Sequence, residues 1–181
     1  MLRNLKALQG YQVQASDGDL GVLEEFYVDT RDWAIGYIVV SSNQGQPDQK
    51  LILSTNAVDY LSETDQTIFL TTALSQTKSD LEIDLDQPDD DFRLRSAQTM
   101  IGYDIHARDG DIGHVEDFIV DDQTWMINYM IVNTGNWLPG RNVVVSPSCI
   151  ETIDWSESKV HMELFRETIE KSPEFDLQFL Q

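Results

Sequence analysis

The chain repeats itself. Displaced by 92 residues, Gly10-Tyr11 falls on Gly102-Tyr103, Asp17-Gly18-Asp19 on Asp109-Gly110-Asp111, and Gly21 on Gly113. Glu24, Phe26 and Val28-Asp29 fall on Glu116, Phe118 and Val120-Asp121. Trp33, Ile35, Tyr37 and Val40 match Trp125, Ile127, Tyr129 and Val132, and Pro47 and Ser54 match Pro139 and Ser146. Residues 10–71 and 102–163 share 17 identities in 62 positions without a gap. A repeat of this length exceeds the roughly 20–50 residues of solenoid units, so the pattern predicts two duplicated domains.

Residues 84–91, Asp84-Leu-Asp-Gln-Pro-Asp-Asp-Asp91, mark the join. Like charges repel and Pro88 interrupts regular structure, so this run reads as a solvated linker. It lacks the ordered ligands, glycine and terminal Glu of an EF-hand calcium loop. The expected domains are residues 1–88 and residues 92–181, the second with a C-terminal helical tail.

Within each copy the pattern is that of short strands. Asp17-Gly18 and Asp109-Gly110 are tight-turn signals between extended runs. The segments 20–29, 33–40, 51–54, 57–62 and 67–71 are rich in Val, Ile, Leu, Tyr and Phe. Copy two repeats them at 112–121, 125–133, 142–146, 149–154 and 158–164. Strands this dense predict an all-β chain of two small barrels, since closure removes aggregation-prone sheet edges. Helices are expected only over 2–8, where Leu2, Leu5 and Leu8 recur at spacing three, and over 165–171, before Ser172-Pro173.

Composition narrows the partners. The 181 residues hold 32 acidic against 12 basic side chains, a net charge of −20, with 41% apolar residues. A packed core is therefore expected rather than disorder. Binding to a nucleic-acid backbone or an anionic membrane surface is disfavoured, because both depend on Lys and Arg. The charge is shared: 5 − 17 = −12 over residues 1–91 and 7 − 15 = −8 over 92–181. With 21 Asp, 11 Glu and only 5 Lys, it fits salt adaptation as well as a binding role. Cys149 is alone, which excludes an intrachain disulfide. No apolar run of signal-peptide length follows Met1 and none approaches a membrane span, so a cytoplasmic location is expected.

Chemical motifs are scarce. There is no nucleophile elbow, phosphate loop or dinucleotide fingerprint, and the expectation is a non-enzymatic protein with no cofactor and no metal. His106 and His114 flank the Asp109-Gly110 turn. With Asp104 or Asp111 they form a weak metal candidate without a recognised ligand spacing, and read instead as surface histidines. Cys149 reads as a small buried residue in an apolar strand. Glu24-Glu25 and Glu116-Asp117 lie in strands, where neighbours point to opposite faces and cannot converge as a dyad. Trp33 with Tyr37, and Trp125 with Tyr129, read as core pairs on one strand face. Trp137 differs, being confined to copy two in a Gly- and Pro-containing loop with Leu138 and Arg141. Trp and Arg are enriched at interface hot spots, which makes Trp137, Leu138 and Arg141 the candidate partner-binding residues.

Copy two runs from Ile101-Gly-Tyr-Asp-Ile-His-Ala-Arg-Asp-Gly-Asp-Ile-Gly-His-Val-Glu-Asp-Phe-Ile-Val-Asp-Asp through Trp125 and Tyr129-Met-Ile-Val to Asn133-Thr-Gly-Asn-Trp-Leu-Pro-Gly-Arg141, then Val145-Ser-Pro147, Asp154 and Ile169-Glu-Lys-Ser-Pro-Glu. This string resembles the PRC-barrel domain, the barrel of the photosynthetic reaction centre H subunit and of the ribosome maturation factor's C-terminal part. The resemblance extends over nearly the whole chain, once per copy, and implies tandem barrels. It is weak for function, because fold does not fix activity. The membrane segment of the reaction centre subunit and the N-terminal domain of the maturation factor have no counterpart here. Copy one also lacks the loop aromatic and Arg, reading Ser41-Ser-Asn-Gln-Gly-Gln-Pro-Asp-Gln49 there. The resemblance implies a protein–protein interaction or adaptor module with an unidentified protein partner. The alternative is a soluble accessory to electron and proton transfer in a photosynthetic or redox assembly. The residues leave open whether the barrels pair as a pseudo-dimer or the chain forms a homo-oligomer.

Overall fold

The Asp-Gly turns make hairpins. In the computed structural model, which describes residues 1–43, 49–73, 94–135 and 141–180, β2 (Gln12–Ala15) turns into β3 (Gly18–Asp29) with Ala15 opposite Gly18. Likewise β9 (Asp104–Ala107) turns into β10 (Gly110–Asp121) with Ala107 opposite Gly110. The expected linker at 84–91 and most of the copy-one loop lie outside the described residues, as do Trp137 and Leu138.

Before β2 come β1 (Leu2–Asn4) and α1 (Leu5–Leu8); between β3 and β9 come β4 (Ala34–Ser42), β5 (Lys50–Ser54), β6 (Val58–Ser62), β7 (Thr67–Leu70), β8 (Leu94–Ser96) and α2 (Ala97–Met100). After β10 follow β11 (Ile127–Asn133), β12 (Asn142–Val145), β13 (Ile150–Asp154), β14 (Lys159–Met162) and α3 (Arg166–Glu170). The chain is mostly strand with a few short helices, as its patterning predicts. These elements form two compact units. One contains Met1–Lys6, Ala97–Asp121 and Ile127–Gln181; the other contains Ala7–Ser96 and Asp122–Met126.

Each unit holds one mixed sheet of seven strands. The first runs β12-β11-β10-β9-β14-β13, with β1 also on β10; the second runs β5-β4-β3-β2-β7-β6, with β8 also on β3. The parallel pairs are β9 with β14 and β2 with β7. The long strands explain how β1 and β8 fit. On one side β10 pairs with β9 through Gly110–His114, and its far end pairs with β1 through Leu2↔Asp121, Arg3↔Val120 and Asn4↔Ile119. Leu94↔Asp29, Arg95↔Val28 and Ser96↔Tyr27 repeat that register 92 residues away. The short strand preceding each repeat thus pairs with the long strand of the other.

The sheets are not closed barrels, which corrects the barrel expectation. Among the described residues the end strands β12 and β13, and likewise β5 and β6, do not pair. A 3-10 turn separates the members of each consecutive pair. Ser146 Oγ accepts the Ser148 N–H at 3.3 Å, and Ser54 Oγ accepts the Asn56 N–H at 3.3 Å. These side-chain caps turn the chain away, so that β13 pairs with β14 and β6 with β7.

The core is built from the inward positions. Val13, Leu20, Phe26, Ile38 and Ile68 are buried in one unit, and Ile105, Ile112, Phe118, Met130 and Val160 in the other. Each such side chain stabilises the fold by about 1.5–3 kcal/mol relative to exposure. The repeated glycines have a steric cause. A Cβ on Gly113 would stand 1.7 Å from the Asn133 carbonyl oxygen, and one on Gly21 would stand 1.9 Å from that of Ser41. Only a residue without a side chain permits these strand approaches.

Two other expectations are corrected. Trp33 and Trp125 precede β4 and β11 rather than lying in them, each in the left-handed region with φ of 57°. They therefore share no strand face with Tyr37 and Tyr129. Trp125 is nonetheless buried, with its ring 6.3 Å from Phe26 and its carbonyl accepting the Ile35 N–H at 2.8 Å. Cys149 is not a buried strand residue. It ends the 3-10 turn Pro147–Cys149 and is partly exposed, because the turn carries it out of the alternating pattern.

Candidate functional site

Three adjacent strands place a row of polar side chains side by side. His161 on β14 lies opposite His106 on β9, and His106 lies opposite Asp111 on β10. Side chains opposite one another in a sheet share a face, so the row is continuous. The two imidazoles meet edge to face with centroids 5.4 Å apart, and His106 Nδ1 lies 2.6 Å from Asp111 Oδ1. That hydrogen bond, helped by the charge of Lys159, holds the Asp111 carboxyl below its usual range. Thr152 opposite His161 extends the row. The imidazole that meets His106 is that of His161, whereas the expected hairpin neighbour His114 lies opposite Asp104 and bonds elsewhere. Among the described residues no cluster of three or more His, Cys, Asp or Glu side chains could hold a metal ion.

The equivalent row in copy one is chemically different. Its members are Tyr60, Phe69, Gln14 and Asp19, joined by the same pairings. Tyr60 and Phe69 stack with centroids 4.5 Å apart at an interplanar angle of 15°, and Tyr60 is 53% exposed. The two pairs occupy different positions of the row: the imidazoles stand where copy one has Gln14 and Phe69, and the aromatic pair stands where copy two has Thr152 and His161.

A third cluster surrounds the bulge in β10. Register slips between Val115 and Asp117, so Glu116 is the extra residue and the strict alternation of faces fails locally. The expectation that Glu116 and Asp117 simply point to opposite faces assumed an unbulged strand. Here Glu116 is half-buried and bonds Lys6 Nζ at 2.7 Å, with His114 Nε2 at 3.4 Å. The lysine holds the Glu116 carboxyl below its usual range. Asp117 is buried, 3% exposed, and its Oδ1 accepts N–H groups from Phe118 at 2.8 Å and Lys6 at 3.3 Å. Burial outweighs those bonds and pushes its carboxyl up to about 6. Both acids bond Lys6 and so fasten residues 1–6 to β10.

Of the predicted partner-binding residues, Arg141 is described. It closes the base of the loop after β11: its carbonyl accepts from Thr134 N and from Thr134 Oγ1, each at 3.1 Å. Thr134 is fully buried, and Gly135 N–H donates to Asn133 Oδ1 at 2.9 Å. The half-exposed guanidinium faces Glu174, with Nε 3.6 Å from Oε2. The equivalent backbone bond is present in copy one, where Ser42 N–H donates to the Gln49 carbonyl at 2.8 Å, although copy one lacks both the aromatic and the Arg. The cross-strand histidine and aromatic rows escaped sequence reasoning. The signal was present, since His161 and Phe69 are equivalent, but parallel pairing of non-adjacent strands was needed to align them.

No helix among the described residues is long and apolar enough to cross a membrane. No protein-family model matches the chain, and no curated protein matches it.

Proposed function

We propose that this chain is a non-catalytic, protein-binding module of two tandem PRC-type domains, whose copies recognise different surface chemistries. The observation that carries this reading is the divergence of one row. Copy one exposes the stacked Tyr60–Phe69 pair where copy two carries Thr152 and His161. Exposed aromatic pairs supply large, rigid contact area, the property of interface hot spots. Trp137, Leu138 and Arg141, which copy one lacks, supply the second contact. A basic or mixed partner surface suits the net charge of −20.

The test is affinity capture from native cells at low and high salt, using the natural sequence, Tyr60→Ala and Trp137→Ala. A partner retained by the natural sequence and lost from one variant supports the reading. Undiminished capture by both variants counts against it.

A second reading rests on the His161–His106–Asp111 row. Two imidazoles in contact and a carboxylate at 2.6 Å form a short path for proton exchange, as an accessory to electron and proton transfer would use. Unchanged quinone reduction in cells lacking the protein would remove it.

A further inference from the structure

Copy one sets a carboxylate beside its aromatic stack. The register of β6 against β7 slips between Val58 and Tyr60, so Asp59 is the extra residue of a bulge. The bulge breaks the alternation of faces, and Asp59 and Tyr60 are both exposed. Tyr60 stacks on Phe69 through one ring face only, and at 53% exposure the rest of its ring meets solvent. The face of an aromatic ring is electrically negative, so it attracts cations as a carboxylate does.

The surrounding strands point to the same ligand. Residues 12–19 and 58–73, which contain β2, β6, β7 and their turns, hold five acids, Asp17, Asp19, Asp59, Glu63 and Asp65, and no Lys, Arg or His. Copy two differs over the equivalent residues 104–111 and 150–165. There Arg108, Lys159, His106 and His161 replace Ser16, Thr67, Gln14 and Phe69. Copy two thus carries cationic and titratable groups of its own on these strands, and His106 Nδ1 lies 2.6 Å from Asp111. Over the same strands copy one combines acids with exposed aromatic surface, the complement of a cation supplied from outside.

We propose that the Tyr60–Phe69 stack of copy one binds an arginine side chain of a partner protein, the guanidinium lying on the Tyr60 ring and pairing with the Asp59 carboxylate. This inference rests on the protein-binding reading and gives that surface its chemistry. A guanidinium is planar and weakly hydrated, so it can lie flat on a ring and still present forked N–H donors to a carboxylate. A lysine ammonium is a strongly hydrated point charge and gains less from the same surface.

Titration of the full chain with a peptide of alternating Gly and Arg, followed by NMR at about 0.15 M salt, tests this. Peptides with lysine, or with uncharged citrulline, in place of arginine are the controls. The arginine peptide shifts the ring signals of Tyr60 and Phe69 and binds about two- to fivefold more tightly than the lysine peptide. Tyr60→Leu and Asp59→Asn, both at exposed positions, each weaken it by a similar factor. Equal binding of the arginine and lysine peptides, or of the citrulline peptide, overturns the proposal. So does undiminished binding to Tyr60→Leu, which marks general attraction to the net charge of −20. If Tyr60→Ala abolishes capture of a cellular partner but no arginine peptide shifts the rings, this inference fails and the protein-binding reading stands.

Discussion

The carboxylate of Asp117 accepts the backbone N–H of Lys6 at 3.3 Å, across 111 residues of sequence. Beside it, Lys6 Nζ bonds Glu116 at 2.7 Å. One residue thus meets a buried acid through its backbone and a half-buried acid through its side chain. The bulge at Glu116 makes both contacts available by breaking the face alternation of β10.

Asp117 gives a pH signature. Its folded carboxyl lies at about 6 against an ordinary 3.8, because burial disfavours the charge. A folded state that binds the proton more tightly than the unfolded state loses stability as pH rises between those values. The difference corresponds to about 3 kcal/mol. Asp117→Asn keeps an oxygen for the two N–H donors and removes the titration. Its stability relative to the natural sequence should therefore rise by up to about 3 kcal/mol between pH 4 and pH 7, measured by urea unfolding. A difference independent of pH would exclude this. The exposed acids Asp109, Asp154 and Glu167 titrate below their usual range and act oppositely, but they are common to both proteins and cancel.

Gly113 separates steric from conformational cost. Gly113→Ala places a Cβ 1.7 Å from the Asn133 carbonyl oxygen at a φ of +65°. Gly10→Ala meets the same kind of backbone restriction, φ +83°, with nothing within 4 Å. The first should cost about 3 kcal/mol or more and the second about 1 kcal/mol in denaturant unfolding. Equal costs would show that the Asn133 approach relaxes freely.

Phe175→Ala should destabilise the protein by about 2 kcal/mol, below the cost of a fully buried Phe because the ring is only partly covered. It should also speed exchange of the Val144 amide, whose partner is the Pro173 carbonyl. If that amide is unaffected, the C-terminal segment is held by its backbone alone.

The net charge of −20 predicts a melting temperature that rises with salt, by roughly 5 °C between about 0.05 and 1 M sodium chloride, as screening relieves self-repulsion. A flat or falling curve would remove salt adaptation as the reason for the charge.

Much of the fold was legible because its signals are local. Asp17-Gly18 and Asp109-Gly110 are hairpin turns wherever they occur between extended runs, and the strands lie close to the segments read from Val, Ile and Tyr. Closure of the sheets was misread because the caps at Ser54 and Ser146 look like ordinary strand continuations. Cys149 was misplaced by the same turn. Of the candidate site, Arg141 could be followed to its place at the loop base, whereas the His106–His161 contact had no local signal.

The repeat, by itself, determined that two units share one plan, down to the glycines that permit strand contact at Asn133 and Ser41. Composition determined that both halves are acidic. Tertiary structure alone decided that β1 and β8 pair with the long strand of the opposite repeat, that Asp117 is buried, and that His106 meets His161. These depend on which distant strands pair and in what register. Residue pattern sets the face a strand buries; only the assembled sheet sets its neighbour.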